Sequence, residues 1–358
     1  MLPWARYIST RIVSALITLL IITAILYAIV MMTPAETRAE LYIPRGANLI
    51  HLTDQQLHQY IQHIIQVNGL DDPYPVQYGR WLVNLVQGQW GYSYNLSAYV
   101  LDYLLQRTPI TAELTFYSLL FLIPFGLIGG AISGWNRNQP ADFGYRIAAY
   151  TAMTFPPFIL ALVLLTIFYV GLHWFPPERL GTAAGMVFNS SSFVHYTGLV
   201  TIDGLLNGRA DVSLDALRHL VLPVLTLSLV HWATLSRIVR ASAIDELQKE
   251  YILAAKSRGL SDRVLLWRHL FPNVVAPALA SSALSAAALL TGVFIVERIF
   301  NFHGISEIAV NGLLVVADAP AALGYTIYNV IVVLLIMFVM DILRAVVDPR
   351  ARNEWTTL

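Results

Sequence analysis

IVSALITLLIITAILYAIVMM, from Ile12 to Met32, is a run of twenty-one residues without one charged side chain. Wound as a helix at about 1.5 Å per residue, it spans the roughly 30 Å hydrocarbon layer of a bilayer. In lipid only a closed hydrogen-bond ladder satisfies the backbone, so a run of this length reads as a membrane helix. Five further runs share its character, at Thr111–Gly134, Ile147–Leu172, His219–Ser236, Asn273–Val296 and Tyr325–Leu343. The reading is an all-α polytopic membrane protein with six transmembrane helices.

Composition agrees. Of 358 residues, 57% are hydrophobic and 12% charged, and mean hydropathy is +0.61. Soluble chains carry about 25% charged residues, so an ordinary soluble enzyme is excluded. Twenty-two basic residues balance twenty-two acidic ones, leaving no basic field to bind nucleic acid. No cysteine is present, which excludes disulfide frameworks, thiolate catalysis and Cys-ligated zinc. Arg6 and Arg11 precede the first run as in a signal sequence, but the run exceeds a signal h-region and no A-x-A site follows, so it is expected to stay as an anchor.

Six spans put both termini on one side. Fourteen Lys and Arg fall on that side, seven of them between Arg237 and Arg268, against eight on the other. The positive-inside rule therefore expects both termini in the cytoplasm. The expected divisions are an anchor at 1–33, an external subdomain at 34–110, a five-helix core at 111–347 and a cytoplasmic tail at 348–358. Within the core lie an external cap at 173–218 and a cytoplasmic hairpin at 237–272. Asp54, Gln55, Gln56, Gln59 and Gln62 have helix-like spacing in the external subdomain.

Within these boundaries the spans hold no charged residue apart from Glu113 and Asp341, each near an end. Intramembrane charges are costly and mark proton relays and ion sites, so the core reads as a passive path driven from outside. His231 is the one titratable side chain well inside a span and is expected to be a hydrogen-bonded packing residue. Gly130 and Gly134 have the spacing for close helix packing, and Pro156-Pro157 predicts a kink. An intramembrane enzyme finds no support, because H-E-x-x-H, G-x-S-x-G and an intramembrane Asp pair are all missing. An ion-coupled secondary carrier or channel is the alternative reading.

The segment between the fourth and fifth spans is too long for a tight connection. Ile244, Leu247, Tyr251, Ile252 and Ala255 share one helical face, with Asp245 and Lys249 as an i,i+4 pair, so one helix is expected over Ile244–Lys256. Gly259 is placed to end it in a left-handed conformation. Ser261-Asp262 is expected to cap a second helix that runs to Phe271 and is broken by Pro272. Helix physics alone allows this unit to lie on the lipid surface as a basic amphipathic hairpin.

Leu253-Ala-Ala-Lys-Ser-Arg-Gly259, followed by Pro272, resembles the EAA signature of ABC importer permeases, with Ala254, Ala255, Gly259 and Pro272 matching. Leu253 stands where the general signature has Glu, as is usual in the oligopeptide and dipeptide branch, and His269 and Phe271 replace its Ile and Leu. Further resemblance to that branch covers most of the chain. It includes Gly69-Leu-Asp-Asp-Pro73 with Gln77, Tyr78 and Trp81, Gly88 to Ser93, Arg107 to Thr111, Leu222-Pro223, Arg237 with Arg240-Ala241-Ser242, Arg268-His269 with Asn273, Glu297 with Phe300, and Asp348-Pro349-Arg350. Phe302-His303-Gly304-Ile305-Ser306 departs from the family's Trp-Pro-Gly-Leu-Gly.

The resemblance implies a type I ABC importer permease fold. It also implies as partners a second homologous permease subunit, two ATP-binding subunits and an extracytoplasmic solute-binding protein. The chain has no G-x-x-x-x-G-K-[ST] stretch, so ATP and Mg are expected on the partner subunit and no cofactor on this chain. By resemblance, the hairpin couples to the ATPase subunit through Tyr251, Ala254, Ala255, Lys256, Arg258, Gly259, Leu260 and Pro272. The family handles di- and oligopeptides, nickel chelates, glutathione and some sugars.

Overall fold

The computed structural model describes residues 2–40, 42–43, 53–93, 95–310 and 318–347. The tail 348–358 expected in the cytoplasm, Tyr94 and the Asp348-Pro349-Arg350 stretch lie outside the described residues. The described residues are helical almost throughout, with a single two-stranded hairpin among them. Among the described residues, five helices are long and apolar enough to cross a membrane: α1 (Leu2–Met31), α5 (Val100–Trp135), α10 (Ala210–Leu247), α13 (Phe271–Ile299) and α14 (Ala319–Val347). Ile12, Val13, Leu16, Ile17 and Leu20 on one side of α1 are 45–54% exposed, as a face turned to lipid requires.

The third expected span, Ile147–Leu172, is not one straight helix. It is split into α6 (Pro140–Thr154) and α7 (Pro157–Leu164, continued by a π-helical turn to Gly171), which meet at 108°. The sharpness follows from the two prolines. A residue before proline is pushed out of the α region, and here two in succession are: Phe155 lies at φ −88, ψ 124 and Pro156 at φ −53, ψ 144. With this pair counted as one broken span, the helices number the six expected.

Two compact units are present. The first comprises 9–107 and 307–332. In it α2 (Ala35–Glu40) and α3 (Asp54–Asn68) bury Ala39, Ile64, Ile65 and Leu70 together. The Gln-rich spacing is a helix, opened by a capping box in which the Thr53 hydroxyl accepts from the Gln56 N–H and the Gln56 carboxamide accepts from the Thr53 N–H. Helix α4 (Tyr74–Val86) stands against α1 through aromatic side chains. Tyr74 donates to the Ala24 carbonyl at 2.6 Å, and the Tyr27 and Trp81 rings lie 5.0 Å apart. Strands β1 (Tyr92–Ser93) and β2 (Ala98–Tyr99) follow, and Ser93 donates to Asp318, the residue before α14, at 2.6 Å.

The second unit comprises, of the described residues, 2–8, 108–306 and 333–347. Its centre is α10, packed against α13 and α6. The spaced glycines of α5 do what their spacing predicts. A Cβ on Gly130 would sit 2.7 Å from the Ser236 carbonyl oxygen and from Val239 Cβ, and one on Gly134 2.6 Å from Ala243 Cβ, so the α5 and α10 backbones touch there. The stretch 173–218 is ordered, with α8 (Thr182–Phe188) and α9 (Val200–Leu206) burying Phe193, Val200, Val212 and Ala216.

Glu113 is 1% exposed and fully engaged. Its carboxylate accepts from Arg179 at 2.8 Å and from the N–H and hydroxyl of Thr201 at 2.8 and 2.7 Å. A charge that looks isolated in sequence is a paired anchor for the 173–218 stretch. His231 differs from expectation, because it is half-buried and makes no hydrogen bond among the described residues.

Candidate functional site

The hairpin is built differently from its sequence reading. Helix α10 does not stop in the membrane-length stretch but runs on to Leu247, and the chain breaks at Gln248-Lys249, where Lys249 is extended (φ −72, ψ 144). A new helix, α11, covers Glu250–Ser257. The single helix expected over Ile244–Lys256 is therefore two. Lys249 pairs not with Asp245 but with Glu246, at 2.5 Å. No glycine or proline marks the break; a local network holds it. Tyr251 donates to Glu246 Oε1 at 2.5 Å, while Asn273 donates to the Tyr251 hydroxyl at 3.0 Å and to the His269 carbonyl at 2.7 Å. Desolvation of its hydroxyl end, then the Glu246 carboxylate, holds the Tyr251 phenol well above the ordinary tyrosine pKa, so it stays a donor.

Helix α11 ends as the sequence predicts. Gly259 takes φ +78, its N–H reaches the Lys256 carbonyl at 3.0 Å, and the Leu260 N–H reaches the Ala255 carbonyl at 3.4 Å. This is a Schellman turn, which needs a left-handed residue at the glycine position. Ser261 restarts the chain through its backbone, its carbonyl accepting from Val264 and Leu265, but its hydroxyl caps nothing.

From α12 (Asp262–Val264) the helix passes without interruption through a π-helical turn, Leu265–Leu270, into α13. Pro272 therefore does not break it. In α register its ring would press on the carbonyl four residues back, and the wider π turn just before it relieves that contact.

Of the eight residues singled out, Ala254, Lys256, Arg258, Gly259, Leu260, Tyr251 and Pro272 are exposed, and Ala255 turns inward with Ile252. A Cβ on Gly259 would meet no atom of this chain. The turn thus presents a small, bare backbone flanked by Lys256 and Arg258. The π segment and the end of α10 support α11 from behind.

Two clusters, one near this unit and one at the far end of α13, carry weight that sequence spacing does not reveal. Asp142, 0% exposed at the start of α6, takes a bidentate pair from Arg240 of α10 at 2.7 Å to each oxygen, with Ser133 donating at 2.6 Å and the Asn138 N–H at 3.0 Å. One arm of the broken span is thereby bolted to the helix that leads into the hairpin. Arg240 belongs to a recognised stretch, but its partner lies 98 residues away. At the other end of α13, Thr111 donates to Glu297 at 2.5 Å and accepts from the Ile305 N–H at 2.9 Å, and Glu297 accepts from the Ser306 N–H at 3.1 Å. The Phe302–Ser306 turn that departs from the family pattern is thus ordered on these two residues. Among the described residues, no group of three His, Asp or Glu side chains is placed to hold a metal.

Residues 123–353 match the family described as Binding-protein-dependent transport system inner membrane component. The chain belongs to that family. Residues 4–115 match its companion, Binding-prot-dependent transport system membrane comp, N-term. The chain is 30% identical to the Di/tripeptide transport system permease protein DppB of Pseudomonas aeruginosa, over 84% of this chain and 87% of the relative. It is 31% identical to the Probable D,D-dipeptide transport system permease protein DdpB of Escherichia coli, over 81% and 84%. With the Oligopeptide transport system permease protein AppB of Bacillus subtilis the identity is 26%, over 97% and 99%. The protein is a multi-pass inner-membrane permease subunit of a binding-protein-dependent ABC importer, and ATP hydrolysis resides on separate subunits. The family supports this function and not the ion-coupled carrier or channel.

Proposed function

We propose that this permease imports short peptides, that both its termini are cytoplasmic, and that the turn at Gly259 docks on an ATP-binding subunit. The peptide assignment draws on relatives named for di-, tri- and oligopeptide transport. The orientation draws on the excess of Lys and Arg on the side of the termini. The observation that carries the docking is the Schellman turn itself, a left-handed glycine with no atom of its own chain above it, between two exposed cations.

In this reading a second homologous permease subunit completes the path, an extracytoplasmic binding protein delivers solute, and ATP and Mg sit on two ATP-binding subunits. Closure of those subunits pulls α11. The pull passes through the Tyr251–Glu246 network to α10 and through Arg240 and Asp142 to the broken span.

The chain has no cysteine, so single Cys substitutions report cleanly on orientation. With an impermeant thiol reagent on intact cells, Gln56 and Ser191 positions are expected to label and the Ser242 position is not. Labelling of Ser242→Cys from outside contradicts the orientation. In the assembled transporter, Ala254→Cys is expected to crosslink to an ATP-binding subunit, and its failure to do so contradicts the docking.

A further inference from the structure

A cavity of about 660 Å³ lies within the unit formed by 9–107 and 307–332. That volume falls in the roughly 300–1,000 Å³ range of small-molecule sites. Tyr27, Trp81 and Trp90 supply aromatic wall. The charge on its lining is unbalanced. Arg38 and Arg80 face it with one carboxylate, Asp72, and that carboxylate is already held by Arg80 at 2.6 Å.

Arg38 is the unusual member, because it is 8% exposed and has no acidic partner among the described residues. Its acceptors are all uncharged: the Thr33 and Leu70 carbonyls, Gln77 Oε1 and Met31 Sδ. These occupy four of the five N–H groups of a guanidinium and leave one on Nη2. A buried cation without a counter-charge is costly, and a cavity beside it offers the place for an anion. The carboxamides of Gln66, Asn84 and Gln89 also line the cavity and make no side-chain hydrogen bond among the described residues.

We propose that this cavity receives the carboxylate end of a short peptide, with Arg38 as the anion anchor, the three carboxamides on the peptide groups and the aromatic rings against side chains. The proposal rests on the peptide-import reading. A carboxamide is both donor and acceptor and matches an amide backbone, for which a phosphodiester headgroup has no counterpart.

The test uses the assembled transporter in zwitterionic-lipid nanodiscs without binding protein. Equilibrium binding of trialanine is compared with that of its C-terminal amide, with dihexanoyl phosphatidylglycerol as competitor. Because the ligand is changed and the protein is not, folding does not enter. Saturable binding of the free acid, about tenfold weaker for the amide, is expected, together with no competition by the lipid. Asn84→Leu, at a residue whose side chain holds no hydrogen bond among the described residues, is expected to weaken binding severalfold with the structure intact. Equal binding of acid and amide, no saturable binding, or displacement by the lipid overturns the proposal. ATP-driven trialanine uptake is measured alongside with binding protein present. Uptake without binding in the first assay overturns the site and leaves peptide import standing, whereas binding without uptake supports the site and counts against import.

Discussion

Gly259 and Gly304 are both glycines in turns beside α13, and they are glycines for opposite reasons. At Gly259 the backbone takes φ +78 and a Cβ would touch nothing within the chain. At Gly304 φ is ordinary, but a Cβ would overlap Glu297 Oε1 and Thr111 Oγ1. The first turn is constrained by backbone conformation and left bare outward; the second is constrained by packing and filled inward. The Gly304 turn is packed on its own chain, whereas the Gly259 turn, which we propose docks on an ATP-binding subunit, leaves its surface open.

The largest expected effect is therefore at the packed turn. Gly304→Ala forces the Glu297 carboxylate off Thr111 and the Ser306 N–H, an overpacking that leaves buried polar groups unpaired and costs about 3 kcal/mol. It should show as lost expression and a lowered melting temperature of the purified protein. Gly304→Ala with wild-type thermal stability would break the comparison.

Next comes Asp142→Asn, which leaves Arg240 without its bidentate carboxylate. About 2–3 kcal/mol of stability is expected to go. A thermal-melt series should also show non-additivity with Arg240→Met, because the two residues form one pair.

Tyr251→Phe removes a hydroxyl at a partly exposed site and should cost about 1 kcal/mol. The pKa of Tyr251 is raised in the folded protein. Its contribution is therefore fully present below the unfolded tyrosine value of about 10 and fades as pH rises through the folded value. The difference in stability between wild type and Tyr251→Phe should be flat across neutral pH and shrink only in strong alkali. A difference that changes between pH 6 and 8 would contradict the network.

His231→Gln is expected to be smallest, within about 0.5 kcal/mol, with the pH profile of uptake unchanged, because no hydrogen bond is lost.

What could be read in advance follows from what is local. The apolar runs at Ile12–Met32 and Asn273–Val296 are helices because lipid leaves no other choice, and Gly259 is legible because a left-handed end names its residue. Helix ends were harder. Helix α10 continues to Leu247 because packing, not hydropathy, carries it past the apolar stretch. Pro272 reads as a breaker until the π turn before it is seen, and the break at Gln248-Lys249 is held by Tyr251, Glu246 and Asn273, whose meeting is tertiary. The same holds for Asp142 with Arg240, Glu113 with Arg179 and Thr111 with Glu297, each pair far apart in the chain. Ala255 turns inward with Ile252, as the apolar face read from the sequence predicts, while Ala254 turns out; the shared motif alone does not separate them.

The most direct test of the coupling role is Gly259→Val in the reconstituted transporter, with peptide uptake and ATP hydrolysis measured on the same vesicles. A β-branched residue at positive φ costs about 1–2 kcal/mol and adds bulk to the bare turn proposed to dock, yet touches nothing in its own chain. The subunit should insert and melt close to wild type, while the complex loses the ATP-binding subunit or hydrolyses ATP without moving peptide. Uptake at the wild-type rate, with hydrolysis still stimulated by loaded binding protein, would contradict the assignment of this turn as the coupling element.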